Sequence, residues 1–267
     1  MLWSRPCAVF RRKSVMLNPG SISSPKGLFA ESLSWDECET ALKTLDTVLI
    51  PIGAGLKEHA HHLPLNNDAL LAQKLTERVI ERSAVLALPV IAYGYYPAFV
   101  EYPGSVSLRE ETFRMTLEDV ARSWMRHGVK KFYFLNTGIS TLRALESVRE
   151  LLGKEGVRVA FTDFRKDGAS AAHDIQEQPR GTHADEIETS MMLHLAPECV
   201  RMSRARPELA LDRAGGLTRN PNAPSGTYSL TGAWGDPTLA TAAKGERVVA
   251  ALVKDIVRSL EELQRGT

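Results

Sequence analysis

Hydrophobic and polar positions along the chain alternate between two periods. Short β-branched or aromatic runs read as buried strands at Thr47–Ile52, Pro89–Tyr93, Lys131–Leu135 and Val157–Thr162. Between them lie stretches with apolar residues three and four apart, which predict amphipathic helices. One begins at Ser34, where Ser34 and Glu37 have the spacing of a capping box, and runs to about Leu45. Others cover Ala69 to about Val85, Arg109 to about His127 with Gly128 as its stop, and Thr141–Leu152. Two more are predicted at Asp185–Leu195 and from about Thr238 to Leu263, the latter carrying Val248, Val249, Leu252, Ile256 and Leu260. Residues 165–182 lack a period and read as a mobile loop over the site. Strand and helix alternate about four times through short connections. That order predicts an α/β fold: a single domain with a mainly parallel sheet covered by helices on both faces.

Composition narrows the function classes. The net charge is +1, so no global field favours nucleic acid or an anionic membrane. No apolar run approaches the ~20 residues a membrane helix needs. The three cysteines, Cys7, Cys38 and Cys199, are scattered without metal-finger spacing, as expected of a cytoplasmic protein. Residues 1–30 carry arginines and lysines but no acid, and read as a disordered N-terminal extension. The folded domain is expected over 31–267.

The candidate chemistry is concentrated directly after the first strand. Pro51 to Asp68 holds Glu58, His59, His61, His62 and Asp68. Imidazoles and carboxylates gathered at the carboxyl end of a buried strand suit a divalent zinc, manganese or iron ion. Open parallel sheets bind their ligands at that edge. A second irregular stretch, Gly94–Leu108, is aromatic and punctuated by glycine and proline, as loops lining a site often are.

The stretch Glu58-His59-Ala60-His61-His62-Leu63-Pro64-Leu65-Asn66-Asn67-Asp68 resembles the signature of the creatininase family, Glu-Gln-His-Gly-Pro-His-Leu-Pro-Leu followed by an aspartate. Three later segments are similar to that family in the same order. They are Tyr102-Pro103-Gly104-Ser105-Val106-Ser107-Leu108, Asn136-Thr137-Gly138, and His183-Ala184-Asp185-Glu186-Ile187-Glu188-Thr189-Ser190. Gly235-Asp236-Pro237-Thr238 also looks like its C-terminal segment. The likeness extends over roughly Trp35 to Leu260.

The resemblance implies a metal-dependent amidohydrolase that cleaves a C–N bond, cyclic or linear, in a small polar substrate, using one or two divalent ions. It implies His59, Asp68 and Glu186 as metal ligands, with Glu58 beside them, and His183 and Glu186 as catalytic groups. Tyr102, Ser105, Asn136 and Ser140 would line the substrate. Glu188, two residues beyond Glu186, is expected on another helix face with a structural role. The family also suggests a homo-oligomer, often a hexamer.

The departures keep other readings open. The family's ligand glutamate, two residues before its histidine, is here Lys57. Its second ligand histidine aligns with Gly138, and Ser140 stands where creatininase has a glutamate. A single ion, a substitute ligand from His61, or loss of the metal each accommodate this. The alternatives in function are a non-catalytic binding or assembly subunit and a metal-dependent sugar or cyclitol isomerase or lyase.

Overall fold

The computed structural model describes residues 26–209 and 215–266. Its central sheet has the order β1-β3-β2-β4-β5, with every pairing parallel. The strands are β1 (Leu28–Phe29), β2 (Thr47–Ile52), β3 (Leu86–Ala87), β4 (Lys131–Asn136) and β5 (Arg158–Phe161). The helices are α1 (Trp35–Ala41), α2 (Asn67–Ile80), α3 (Glu110–Met125), α4 (Leu142–Gly153), α5 (Ala169–His173), α6 (Glu186–Leu195) and α7 (Ala242–Arg265). A short parallel pair, β6 (Leu217–Thr218) and β7 (Thr227–Tyr228), lies in the irregular segment before α7.

Period two in the strands builds two cores. Val48, Ile50, Ile52, Phe132 and Phe134 face one side and pack on α1, α3 and α4. Leu49, Tyr133 and Leu135 face the other and pack on α2, α6 and α7. Both faces of β2 are buried, so this strand has no polar alternation. The expected layering and the mainly parallel sheet are therefore both present.

Local differences from the expected elements have identifiable causes. The capping box at Ser34 is made, but α1 ends at Ala41, where the chain tightens into turns. The strand expected over Pro89–Tyr93 is paired earlier, at Leu86–Ala87, and continues only as a bridge between Ile52 and Ile91. Pro89 has no N–H to give a ladder. The 165–182 segment contains α5 and is tied down at its end: Glu177 and Gln178 both donate their N–H groups to Glu186. Leu28 and Phe29 pair with β3, so sheet structure begins before the expected boundary at residue 31. Residues 1–25 lie outside the described residues.

One glycine fixes how the site is held. Gly53 follows β2, and a Cβ there would stand 2.2 Å from the carbonyl oxygen of Asp68. Only glycine lets the start of α2 come down on the end of β2, and that contact brings Asp68 beneath the loop carrying His59.

Candidate functional site

The loop between β2 and α2 is folded by its own hydrogen bonds. Lys57 donates its N–H to the Leu65 carbonyl at 2.9 Å, which closes the loop on itself. Glu58 donates its N–H to Ser105 Oγ at 2.9 Å, which joins it to the Gly94–Leu108 segment. Ala60 has φ 56°, a left-handed conformation that costs an alanine roughly 1–2 kcal/mol. His59 is thereby turned inward and fully buried.

His59 Nδ1 donates to the Lys57 carbonyl at 2.9 Å, so Nε2 points into the pocket. There it lies 2.8 Å from Asp68 Oδ1 and 3.4 Å from Glu188 Oε1. Lys57 Nζ stands 2.6 Å from Asp68 Oδ2. Glu188 is held by the Asn67 amide at 2.8 Å and by the Ala184 N–H at 2.8 Å. His183 Nε2 donates to Glu58, to its carbonyl and to its Oε2, both at 3.0 Å. That leaves His183 Nδ1 facing Glu188 Oε2 at 4.0 Å. Phe99 packs on the His183 ring with centroids 4.5 Å apart. The pocket thus sits at the carboxyl end of β2, between α2 and the N-terminus of α6, where a parallel sheet opens to ligands.

The electrostatics follow from burial and from these partners. Burial alone would strip the proton from His59, but Asp68, with Glu188, outweighs it and the neighbouring Lys57. The imidazole is raised to about 9. Burial likewise pushes Asp68 up, and the charges of Lys57 and His59 overcome it and hold its carboxyl well below the usual range. Glu188 is lowered in the same way, mainly by His59. His62 behaves oppositely: it is buried with Nε2 on Thr189 Oγ1 at 2.8 Å, and burial lowers it to about 4.

One ligand atom each from His59, His183 and Glu188 lie within 4.8 Å of one another, the one such group of three among the described residues. Two imidazoles and one carboxylate are a donor set of catalytic zinc hydrolases. Each histidine has its other ring nitrogen fixed by a carbonyl or carboxylate, as ligating imidazoles generally do. The residues present therefore fit one divalent ion.

Several expected residues lie elsewhere. Glu186 does not face the pocket: its fully buried carboxylate accepts from the Glu177 and Gln178 N–H groups and pairs with Lys244. Residues two apart on a helix are about 200° apart, so Glu188 takes the inward face and Glu186 packs against α7. The structure therefore places Glu188, and not Glu186, beside His59, on the face where Glu186 was expected. Asp68 adjoins the pocket but both its oxygens are engaged, by His59 and by Lys57. Glu58 lies on His183 and not among the three donors. His61 is exposed.

Each expected substrate residue uses its polar group to hold a loop. Tyr102 donates its hydroxyl to the Ser229 carbonyl, and Ser105 accepts from Glu58. Asn136 bonds Gly138 and Thr141, and Ser140 donates to the Tyr95 carbonyl. Sequence reasoning missed Glu188 and the inward lysine. Asp185, which caps α6 by accepting the Glu188 N–H at 2.9 Å, could have indicated which glutamate begins the first inward turn.

Comparison with known proteins gives a consistent picture. The family model for creatininase, creatinine amidohydrolase, matches residues 31–260. The chain is 32% identical over 236 residues to the mycofactocin precursor peptide peptidase of Mycobacterium tuberculosis, covering 80% of this chain and 84% of that protein. It is 30% identical over 198 residues to the creatinine amidohydrolase of Pseudomonas putida, covering 67% and 76%. Among solved structures, the manganese form of creatininase superimposes with a TM-score of 0.73 at 25% identity, covering 88% of this chain and 98% of that one.

Proposed function

The chain belongs to the creatininase family, and on that premise we propose that it is a metal-dependent amidohydrolase. Its reaction is hydrolysis of a C–N bond, cyclic or linear, in a small polar substrate. The observation that carries this reading is the convergence of one donor atom each from His59, His183 and Glu188 within 4.8 Å. Relatives named as an amidohydrolase and a peptidase support the reaction class.

In this reading His59, His183 and Glu188 hold one divalent ion, manganese or zinc. When bound, such an ion polarises an amide carbonyl and acidifies a water molecule. The remaining work falls to the chain. The Lys57 carbonyl fixes the His59 tautomer, and the Glu58 carboxylate fixes that of His183. Glu58 bonds the far ring nitrogen of His183, so it acts on the site by orienting that imidazole. Ser105 and the Ala60 N–H keep Glu58 in position. Phe99 covers His183 and limits water. A homo-oligomer in the cytoplasm is part of the same proposal.

The test is metal content and turnover of the wild type, His59→Ala, Glu188→Gln and Glu58→Gln, assayed with a panel of cyclic amides and short peptides. The expected pattern is one ion per chain in the wild type, loss of that ion in the first two variants, and retention with reduced turnover in Glu58→Gln. Full turnover by metal-free protein would overturn the metal dependence. A second reading, a non-catalytic binding subunit, is favoured by the closed hydrogen bonding of the Asn136–Thr141 loop, which leaves no ligand on that side of the pocket. Absence of turnover on the whole panel, with the ion bound, would support it.

A further inference from the structure

Asp68 is 1% exposed, and a carboxylate at that depth requires a compensating cation. Its Oδ1 meets His59 Nε2 at 2.8 Å, and its Oδ2 meets Lys57 Nζ at 2.6 Å. Lys57 is itself only 6% exposed. Its ammonium lies 4.7 Å from the ring centroid of Phe99 and 5.8 Å from that of Tyr96, so aromatic faces close over it. The loop bond from Lys57 N–H to Leu65 fixes the root of the side chain. An ammonium enclosed in this way is not a solvated surface charge that swings aside. A divalent ion seated on Asp68 Oδ2 would have to displace it.

We propose that Lys57 is a resident cation: its ammonium stands on Asp68 in place of a divalent ion. Asp68 is then not a metal ligand, and the pocket takes at most one ion, at His59, His183 and Glu188. The count of one rests on the function proposed above, whereas the pairing of Lys57 with Asp68 does not. The lysine also supplies a permanent positive charge beside the pocket. Without an ion, Asp68 also accepts a hydrogen bond from His59 Nε2, a bond that ion binding at that nitrogen would replace.

The experiment compares wild type, Lys57→Gln, Lys57→Arg and the double variant Lys57→Gln/Asp68→Asn. Each is loaded with zinc or manganese, desalted, and measured for ions per chain and for melting temperature with and without chelator. Lys57→Gln is expected to bind one more ion per chain than wild type, and its melting temperature to fall further on chelation. The double variant and Lys57→Arg are expected to return to the wild-type count. An unchanged count in folded Lys57→Gln, a second ion in wild type, or an extra ion in Lys57→Arg would each overturn the proposal. If Lys57→Gln folds only with the added ion, that supports it. If the double variant folds while Lys57→Gln fails even with the ion, that overturns it. A wild type without any ion defeats the metal-dependent function, yet a gain of one ion in Lys57→Gln still supports the role of Lys57.

Discussion

Replacing His62 by glutamine isolates one buried imidazole from the rest of the acid response. His62 is 1% exposed, with Nε2 on the Thr189 hydroxyl and Nδ1 buried without a partner. A proton on Nδ1 would place an unsatisfied cationic N–H in the core. That is why burial lowers this histidine from 6.5 to about 4. The unfolded chain takes up a proton below pH 6.5 that the native state refuses. Stability from this group is therefore present above 6.5 and is lost as pH falls toward 4. The difference of about 2.5 units corresponds to roughly 3 kcal/mol when complete, and to about 2 kcal/mol by pH 5. Glutamine can keep a hydrogen bond to Thr189 and cannot titrate. Urea unfolding of both proteins without metal, at pH 7 and pH 5, gives the comparison. Wild type should lose about 2 kcal/mol more than His62→Gln between the two values. Equal losses, within about 0.5 kcal/mol, would refute the assignment of this penalty to His62. His59 runs the other way in metal-free protein: raised to about 9, it contributes stability present below 6.5 and lost as pH rises through 9.

Three further outcomes are expected. Ala60→Gly relieves a left-handed alanine and should raise stability by about 1 kcal/mol, read as an increase in melting temperature with the metal content unchanged. Gly245→Ala should cost about 3 kcal/mol in denaturant unfolding, because its Cβ would stand 1.9 Å from the Ser190 carbonyl oxygen, where α7 crosses α6. Glu186→Gln should lower stability by about 2–3 kcal/mol through the loss of its buried pairing with Lys244, while leaving ion binding intact. Parallel measurement of metal content in Glu188→Gln, which should show the reverse, decides which glutamate serves the pocket.

The order of elements was legible from the sequence because it depends on periodicity. Alternating strand residues such as Phe132, Tyr133, Phe134 and Leu135 bury both sides of β4, and helices of period near 3.6 cover them. Much of the pocket's location was legible too. His59, Asp68 and His183 stand in segments whose likeness to a known family is ordered along the chain, and they meet in the fold within one pocket. The net charge of +1 gave no reason to expect a nucleic-acid partner, and no helix among the described residues is long and apolar enough to cross a membrane.

Tertiary structure alone decided which side chains turn inward. Glu186 and Glu188 are equivalent in sequence, and only the packing of α6 on α7 sends the first to Lys244 and the second to His59. Lys57 appeared in the sequence as a departure from a ligand pattern. Its ammonium finds Asp68, eleven residues away by number, because Gly53 lets α2 seat on the end of β2. Asn136 and Ser140 looked free to meet a substrate, yet both bond within or between loops. Periodicity reports which residues are buried by their own element. It carries no information on which buried polar groups from distant elements will face one another, since that is set by the angles at which helices and loops pack.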